Sequence, residues 1–427
     1  MRRVLYVCHN HSANRPGGVE IVAHQLYEAI RDGGEFEPIM VSRVGPPQSP
    51  DAARDGTRFA LADEDPNLYY FYTGSDEFDR VLWTALSKGL YTEDWREFLR
   101  AVQPDIVHFR HSMWLGYDMI RETRRTLPQV PIVYTLHEFT SICHHNGQMV
   151  RTGTHELCHA ASPRRCHQCF PEIAKQTFFL RERFIKSAFE LVDLFIAPSE
   201  HLRRRYIEWG IPPEKIRHED TGLVPLEPLP DPPDAGRRRR IGFFAAITQY
   251  KGLDVLLEAM KILDAEGAGV QLLVRGANLE FHRLDFREKT AQLLEETAGS
   301  VRFTGRYEQA ELPALLSAVD WSIVPSIWWE VGPNSIREAL MLRRPVICSN
   351  IGSMAERIQD GVNGLHFRVG DPDSLADTIR RAVGAPELWD KLRGQITDPH
   401  PMDEHLPIIT GIYKQLLSSA NARPVAA

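Results

Sequence analysis

Residues 321–348 read WSIVPSIWWEVGPNSIREALMLRRPVIC, and this stretch decides the fold class. Trp321–Val324 is a short apolar run, typical of a strand that is buried on both faces. Ser335–Leu342 has helical spacing of its apolar residues, and Pro345–Cys348 predicts a second strand. A strand, a helix and a strand in this order form the βαβ unit of a parallel sheet, because parallel strands need a crossover between them.

The same alternation extends in both directions from this unit. In the second half it predicts strands at Ile241–Ala245 and Val270–Val274 and helices at Leu253–Asp264 and Glu311–Ala318. In the first half it predicts a helix through residues 22–30 and strands at Val4–Cys8, Ile39–Val41, Ile106–Phe109, Ile132–Leu136 and Leu194–Ala197. We therefore predict an α/β protein with parallel sheets.

A proline-rich segment separates the two halves. Residues 223–236, LVPLEPLPDPPDAG, hold five prolines, which the interiors of helices and strands do not tolerate. Because 427 residues exceed what one hydrophobic core usually organises, we predict an N-terminal domain over 1–225 and a C-terminal domain over 237–403. A last helical segment, Leu406–Leu417, lies beyond the final strand, and we expect residues 404–427 to pack back on the first domain.

Charge and hydropathy restrict the functional class. Fifty basic residues against fifty-seven acidic ones give a net charge of −7, which argues against a dedicated nucleic-acid-binding protein. The apolar run near the start is too short for a signal peptide, and no stretch reaches the roughly 18 apolar residues of a membrane span. We therefore expect a cytoplasmic protein.

Two basic features leave a peripheral contact with the inner face of a membrane open. Arg237–Arg240 is a run of four cations, for which a solvated face is the main interpretation and binding of anionic lipid the alternative. A predicted helix interleaves phenylalanines with cations at Phe178, Phe179, Phe184, Arg181, Arg183 and Lys186. This pattern suits an interfacial helix, although such a stripe more often faces a core.

Glu330 and Glu338 are eight positions apart across the junction between a loop and a helix. This spacing resembles the E-x₇-E signature of family-four GT-B glycosyltransferases. Further stretches match that family in order, at Gln249–Asp254, Val301–Gly305, Arg344–Ser353 and Asp360–Leu365. Looser matches in the first half are Gly17–Gly18, Pro104–His108, Leu136–Glu138 and Ala197–His201. The resemblance covers nearly the whole chain and implies the GT-B fold, two Rossmann-like doubly wound domains that face a cleft.

The resemblance implies a retaining glycosyltransferase with a nucleotide-diphosphate sugar as donor. In that interpretation Lys251 neutralises the diphosphate, and the helix amides at Asn334 and Ser335 add their partial positive charge. Glu338 would accept hydrogen bonds from the ribose hydroxyls, and Glu330 would hold hydroxyls of the donor sugar. A capping box of Ser335 and Glu338 is the structural alternative for Glu338.

One part of the family pattern is missing. The family commonly has an arginine five positions before the lysine, where this chain has Ala246, so half of the expected phosphate clamp is absent. Arg275, which follows a neighbouring predicted strand, is our candidate to supply the charge, and an ordinary surface arginine is the alternative. We find no D-x-D element placed to hold magnesium, so we expect the diphosphate to be bound without a divalent metal.

The first half contributes three further candidates. Backbone amides at Gly17 and Gly18 can approach a phosphate or a sugar closely, because glycine has no Cβ; a plain tight turn is the alternative. His137 follows a strand whose end should face the ligand crevice, and the resemblance implies a position near the donor sugar. The catalytic candidates are thus Glu330, His137 and Lys251, whereas His9, His108 and His111 are weaker ones.

Four of the six cysteines fall within 27 positions, at Cys143, Cys158, Cys166 and Cys169. In a reducing compartment this clustering favours a metal over disulfides, and the final C-x-x-C lets two thiolates reach one ion. We predict that residues 140–172, the cysteine-rich insertion, bind a structural zinc ion. An iron–sulfur cluster uses the same ligands, and two disulfides would form if the protein were exported.

Other functions fit a similar sequence pattern. A nucleotide-sugar epimerase and a phosphorylase use paired α/β domains, although neither the pyridoxal lysine of the latter nor the acid and base of the former can be placed. A subunit that binds a nucleotide sugar without catalysis would explain the missing arginine. The acceptor, whether a glycan, a lipid-linked sugar or a small molecule, is not specified by the sequence.

Overall fold

The computed structural model describes the chain except residues 12–16, 46–57, 63–64, 75, 231–237, 398 and 422–427. Its strands are β1 (Arg2–Cys8), β2 (Phe36–Val44), β3 (Phe59–Ala62), β4 (Asp65–Tyr72), β5 (Phe78–Asp79), β6 (Thr84–Ala85), β7 (Ile106–Phe109), β8 (Ile132–Thr135), β9 (Leu194–Ala197), β10 (Ile216–His218), β11 (Arg240–Phe244), β12 (Gln271–Arg275), β13 (Val301–Phe303), β14 (Trp321–Val324), β15 (Val346–Ser349) and β16 (Gly364–Phe367). Its α-helices are α1 (Gly18–Gly33), α2 (Arg96–Val102), α3 (Asp118–Thr126), α4 (Pro163–Cys169), α5 (Lys175–Phe189), α6 (Glu200–Trp209), α7 (Leu253–Ala265), α8 (Leu284–Glu296), α9 (Leu312–Ser317), α10 (Asn334–Met341), α11 (Gly352–Arg357), α12 (Pro372–Gly384), α13 (Pro386–Gly394) and α14 (Met402–Asn421).

The chain divides into two compact units. The first combines Met1–Val224 with His400–Ala427, and the second is Pro225–Pro399. Part of the proline-rich segment therefore belongs to the second unit. There, Leu226 and Leu229 pack against the core, and the Leu229 carbonyl accepts a hydrogen bond of 2.9 Å from Arg393.

The first unit is built on an eight-stranded sheet in the order β10-β9-β8-β7-β1-β2-β4-β3. Its paired strands are parallel except for β3, which runs antiparallel to β4. The strand order reverses between β1 and β7, and ligands of open α/β sheets bind beyond the carboxyl ends of strands at such a switch point.

Helix α14 is part of the core of the first unit. Ile409, Ile412 and Tyr413 are buried together with residues of β1 and α1. The Tyr413 hydroxyl lies 2.9 Å from the Tyr6 hydroxyl and 2.7 Å from His108 Nδ1, so the C-terminal helix is fixed to the sheet by polar contacts as well as by packing.

The second unit has a six-stranded parallel sheet in the order β13-β12-β11-β14-β15-β16. Numbered within the unit, this is the order 3-2-1-4-5-6 of the Rossmann fold, with its switch point between β11 and β14. Every residue of β14 and β15 is buried, as the mainly apolar runs within residues 321–348 indicate. The predicted α/β class with doubly wound units is confirmed.

Each of the two basic features is partly buried. Phe178 and Arg181 of α5 are buried, whereas Phe179 is 54% exposed and Arg183 is exposed as well. The solvated face expected for Arg237–Arg240 is found at Arg239, which is exposed, but it is wrong at Arg238, which is buried and pairs with buried Asp320. Arg240 is partly exposed and pairs with the same carboxylate. Arg237 lies outside the described residues. In the part of the chain that the structure describes, no helix has the length and apolar character needed to cross a bilayer.

Candidate active site

The loop after β11 holds Lys251 against the loop after β14. Gly252 caps the start of α7 with φ +71°, a conformation that glycine adopts without strain. A Cβ at this position would collide with the carbonyl group of Pro325, and the Ile327 amide donates a hydrogen bond of 2.9 Å to Tyr250 O. Glycine is therefore required directly after Lys251, because the two loops, which follow neighbouring strands, meet at backbone contact.

Three donors converge on one oxygen of Glu330. Its Oε1 atom lies 2.6 Å from Lys251 Nζ and accepts hydrogen bonds from Ser326 Oγ at 2.7 Å and Trp328 Nε1 at 3.0 Å. The Ser353 hydroxyl also holds the Glu330 carbonyl at 2.6 Å. Glu330 is only 4% exposed, and the paired lysine together with these bonds compensates the burial of its charge.

Glu338 lies on α10, which begins at Asn334 with Pro333 as its N-cap. The alternative capping box is not formed, because Pro333 occupies the cap and Glu338 Oε1 instead accepts a hydrogen bond of 2.7 Å from Gln309 Nε2. Burial raises the pKa of the Glu338 carboxyl. Burial and then the nearby Glu338 charge raise the pKa of Tyr307 to about 12, so this hydroxyl stays protonated beside the carboxylate.

Arg275, the candidate for the missing cation, ends β12. Its guanidinium pairs with Glu311 Oε1 at 3.2 Å and donates to Thr304 Oγ1 at 3.3 Å. The same charge lowers the pKa of Tyr307, against the larger effects of burial and Glu338. Glu311 therefore neutralises part of the positive charge with which Arg275 would otherwise attract a phosphate.

In the first unit, the paired glycines begin α1 over a buried carboxylate. Gly17 is the N-cap, in extended backbone with φ −139°, and Gly18 is the first helical residue. A Cβ on Gly17 would crowd the Glu20 carboxylate, which pairs with His9 Nε2 at 2.9 Å. At Gly17 the structure shows a helix start that makes room for the Glu20 side chain.

Histidines gather where β1, β7 and β8 end. The rings of His9 and His111 are 4.0 Å apart between centroids, and His111 Nε2 lies 3.7 Å from Glu138 Oε1. Burial, followed by the charges of Arg110 and His9, lowers the pKa of His137 well below the usual range, so its ring is neutral. Burial raises the pKa of the Glu138 carboxyl to about 8.

His108 is structural, because both ring nitrogens are hydrogen-bonded inside the core, to Tyr413 and Thr135 at 2.7 Å each. Sequence reasoning missed the partners of the candidates rather than the candidates themselves. These partners are Glu20, Glu138, Ser326, Trp328, Gln309 and Tyr307. Ser326 and Trp328 flank the recognised glutamate in sequence, and Glu138 follows His137 directly, so proximity along the chain was the available signal.

The four clustered cysteines line one cavity of about 20 Å³ in the first unit. All four are free thiols. Burial raises the pKa of the Cys143 thiol to about 12. With the side chains as they stand, no three His, Cys, Asp or Glu residues of the described ranges are arranged to hold a metal ion.

Two doubly wound parallel units, with an ion-paired glutamate and lysine at the switch point of the second, define the class of GT-B transferases. Residues 238–384 match the family described as glycosyl transferases group 1, and residues 16–219 match glycosyltransferase family 4. The chain is therefore a GT-B glycosyltransferase of the group 1 kind, and the enzyme class predicted from the sequence is confirmed.

Curated relatives and solved structures agree with this assignment. The amylovoran biosynthesis glycosyltransferase AmsK of Erwinia amylovora is 28% identical over 195 residues, 44% of this chain and 47% of that protein. The glycogen synthase of Mycobacterium tuberculosis is 23% identical over 397 residues, 90% of this chain and 86% of that protein. The structure of Anabaena Alr3699/HepE in complex with UDP and glucose has a TM-score of 0.67 at 16% identity, covering 98% of this chain and 100% of that one. Sucrose-phosphate synthase from Thermosynechococcus elongatus has a TM-score of 0.72 at 17% identity, with the same coverage.

Proposed function

We propose that this chain is a retaining glycosyltransferase that moves a sugar from a nucleotide-diphosphate donor to an acceptor hydroxyl, without a divalent metal at the diphosphate. The observation that carries the proposal is the convergence of Lys251, Ser326 and Trp328 on Glu330, directly before α10. This arrangement offers a cation and a helix N-terminus to a diphosphate, and a fixed carboxylate to sugar hydroxyls.

The contacts of Glu330 suggest how the donor enters. When Lys251 turns towards the diphosphate, Glu330 keeps two hydrogen bonds, because Ser326 and Trp328 still donate to the same oxygen. The lysine charge and the amides of Asn334 and Ser335 then stabilise the negative charge that grows on the leaving phosphate. Glu338 gives up the hydrogen bond from the Gln309 amide and accepts hydrogen bonds from the ribose hydroxyls. These bonds stabilise the ionised form of a carboxyl whose pKa is raised by burial.

In the proposed transfer, the bond between the anomeric carbon and the phosphate oxygen breaks, and its electron pair stays on the phosphate. The acceptor oxygen forms the new bond on the same face of the sugar, and its proton passes to the departing phosphate oxygen. No protein base is required in this step. Gly17, Gly18 and His137 are assigned to the same reaction by their resemblance to the family. The donor complexes of Anabaena Alr3699/HepE, named for UDP with glucose and for UDP-glucose, support a nucleotide sugar as donor.

The test begins with thermal unfolding in the presence of uridine, guanosine, adenosine and thymidine diphosphate sugars, because a true donor stabilises the protein by mass action. Transfer with that donor is then measured for Lys251→Met, Glu330→Gln and Glu338→Gln. Exposed Glu280→Gln, in the same unit, is the matched control. We expect kcat/KM to fall at least about 100-fold in the three site variants, the scale of a lost charged contact to a transition state. Near-normal transfer by Glu330→Gln would refute the proposed site.

The anomeric configuration of the product tests retention separately, since NMR distinguishes α- from β-linked sugars; an inverted product would overturn the same-face mechanism. A non-catalytic nucleotide-sugar-binding subunit is the second candidate, because Ala246 replaces the family's arginine. Such a subunit would be stabilised by a donor and would release it intact with every acceptor, whereas the proposed enzyme consumes it.

A further inference from the structure

Backbone contacts bring the four clustered cysteines to one cavity before any ligand is bound. The Cys143 amide donates to Phe139 O at 2.7 Å, and the Cys158 amide donates to Met149 O at 2.7 Å. A bridge between Val150 and Leu157 closes the turn that separates them. Cys166 and Cys169 lie on α4, where residues three apart share one face.

The cavity and its lining suit one small, soft-ligand metal ion. Its volume of about 20 Å³ is little more than the roughly 10–15 Å³ needed for a single water molecule. Four thiolates around zinc, at about 2.3 Å each, would require the sulfur atoms to stand about 3.8 Å apart. Within the described residues the thiols do not stand in a ligand arrangement, so binding of the ion requires them to move together.

Three arginines lie at or beside the cavity. Arg151 and Arg165 line it, and buried Arg181 donates a hydrogen bond of 2.8 Å to Ser141 O beside it. A zinc ion with four thiolates carries a net charge of about −2, which these cations would partly offset.

We propose that Cys143, Cys158, Cys166 and Cys169 bind one Zn²⁺ and that this closed site fixes the cysteine-rich insertion. Four protein ligands leave no open coordination position, so the ion is structural. The insertion touches the histidine region directly. Gly147, at φ +72°, packs so tightly against Thr140 N and the Glu138 carboxylate that a Cβ would collide with both. Losing the ion is therefore expected to loosen Glu138 and the neighbouring His137.

The proposal is independent of the sugar-transfer reaction, and its test uses the whole protein purified without a histidine tag. Elemental analysis and native mass spectrometry should give about one zinc per chain. The Cys166→Ser, Cys169→Ser double variant should lose the zinc and become cleavable by protease within residues 140–172. The matched control is Cys348→Ala, which removes a buried thiol of the second unit and should keep the zinc.

Cobalt substitution identifies the ligands. Cobalt-loaded wild type should show intense thiolate-to-cobalt charge-transfer absorption, which the double variant lacks. If the double variant fails to fold, the zinc content and cobalt spectrum of the wild type still decide the matter. Metal-free protein with four reduced thiols and undiminished protease resistance would overturn the proposal, as would iron with inorganic sulfide or two disulfides detected by mass spectrometry.

Discussion

Replacing Gly252 by Ala tests how the second unit holds Lys251 against Glu330. Gly252 and Gly267 both have left-handed backbone, with φ of +71° and +66°, but a Cβ meets the Pro325 carbonyl at Gly252 and nothing within 4 Å at Gly267. Gly267→Ala is therefore a matched control that carries the conformational strain without the collision.

The two substitutions should differ by the collision alone. Left-handed strain costs an L-residue roughly 1–2 kcal/mol, and the lower entropy of the unfolded chain returns about 0.4–1 kcal/mol in both variants. Overpacking against the Pro325 carbonyl adds about 1–3 kcal/mol in Gly252→Ala only. For a unit of this size, that difference lowers Tm by a further 2–12 °C or so.

Calorimetry of the full chain and initial-rate kinetics measure the two consequences. We expect Gly252→Ala to unfold earlier than Gly267→Ala and to lose at least about tenfold in kcat/KM, because shifting the loop displaces Lys251 from its partner. Gly267→Ala should retain the kcat/KM of the wild type. Equal Tm values for the two variants, within about 1 °C, would show that the loop yields without cost and would refute this account of the Lys-Gly pair.

Three further outcomes are expected. Folding raises the pKa of Glu138 to about 8, so this group stabilises the fold below its unfolded pKa, and that contribution is lost as pH rises towards 8. The fall in Tm from pH 5 to pH 8 should therefore be smaller in Glu138→Gln than in the wild type. Equal falls in the two proteins would contradict the raised pKa. Tyr413→Phe should lower the free energy of unfolding by about 1–3 kcal/mol, because it leaves buried His108 and Tyr6 without a shared hydrogen-bond partner. Urea unfolding measures this free energy, and an unchanged value would refute the polar attachment of α14 to the sheet. Transfer should persist in EDTA during short assays, and immediate loss that magnesium restores would contradict binding of the diphosphate without a metal.

The central strands could be predicted from the sequence because both faces of each are buried. β1, β7, β9, β14 and β15 each hold a short, mainly apolar and buried run, and short runs of this kind are typical of strands in the interior of a parallel sheet. β4 was missed for the converse reason. It lies near the sheet edge between β2 and β3, and its sequence DPNLYYFY mixes buried with exposed positions, so its pairing depends on neighbours distant in sequence.

Candidate site residues could be named from the sequence, but their contacts could not. Glu330 and Lys251 were recognised separately, by resemblance, yet their contact of 2.6 Å joins positions 79 residues apart. Sequence spacing reports neighbours only within one helix or strand. The capping box of Ser335 and Glu338 obeyed that local rule and was still wrong, because Pro333 caps α10 and Gln309 reaches Glu338 from another element.

For the same reason, the sequence indicated His137 as a candidate residue but not the adjacent Glu138. Its sequence neighbours give no reason for an unusual carboxyl; the raised pKa arises because burial removes water around it, while His111 and the cysteine-rich insertion pack against it. A buried carboxyl is costly unless it has partners. Here the partners include the insertion, since the Thr140 amide donates a hydrogen bond to the Glu138 carboxyl. If zinc orders the insertion, then removing zinc should let water reach Glu138 and lower its pKa. NMR titration of the Glu138 carboxyl in zinc-loaded and zinc-depleted protein would measure this shift, and an identical pKa in both would show that the insertion and the histidine region are independent.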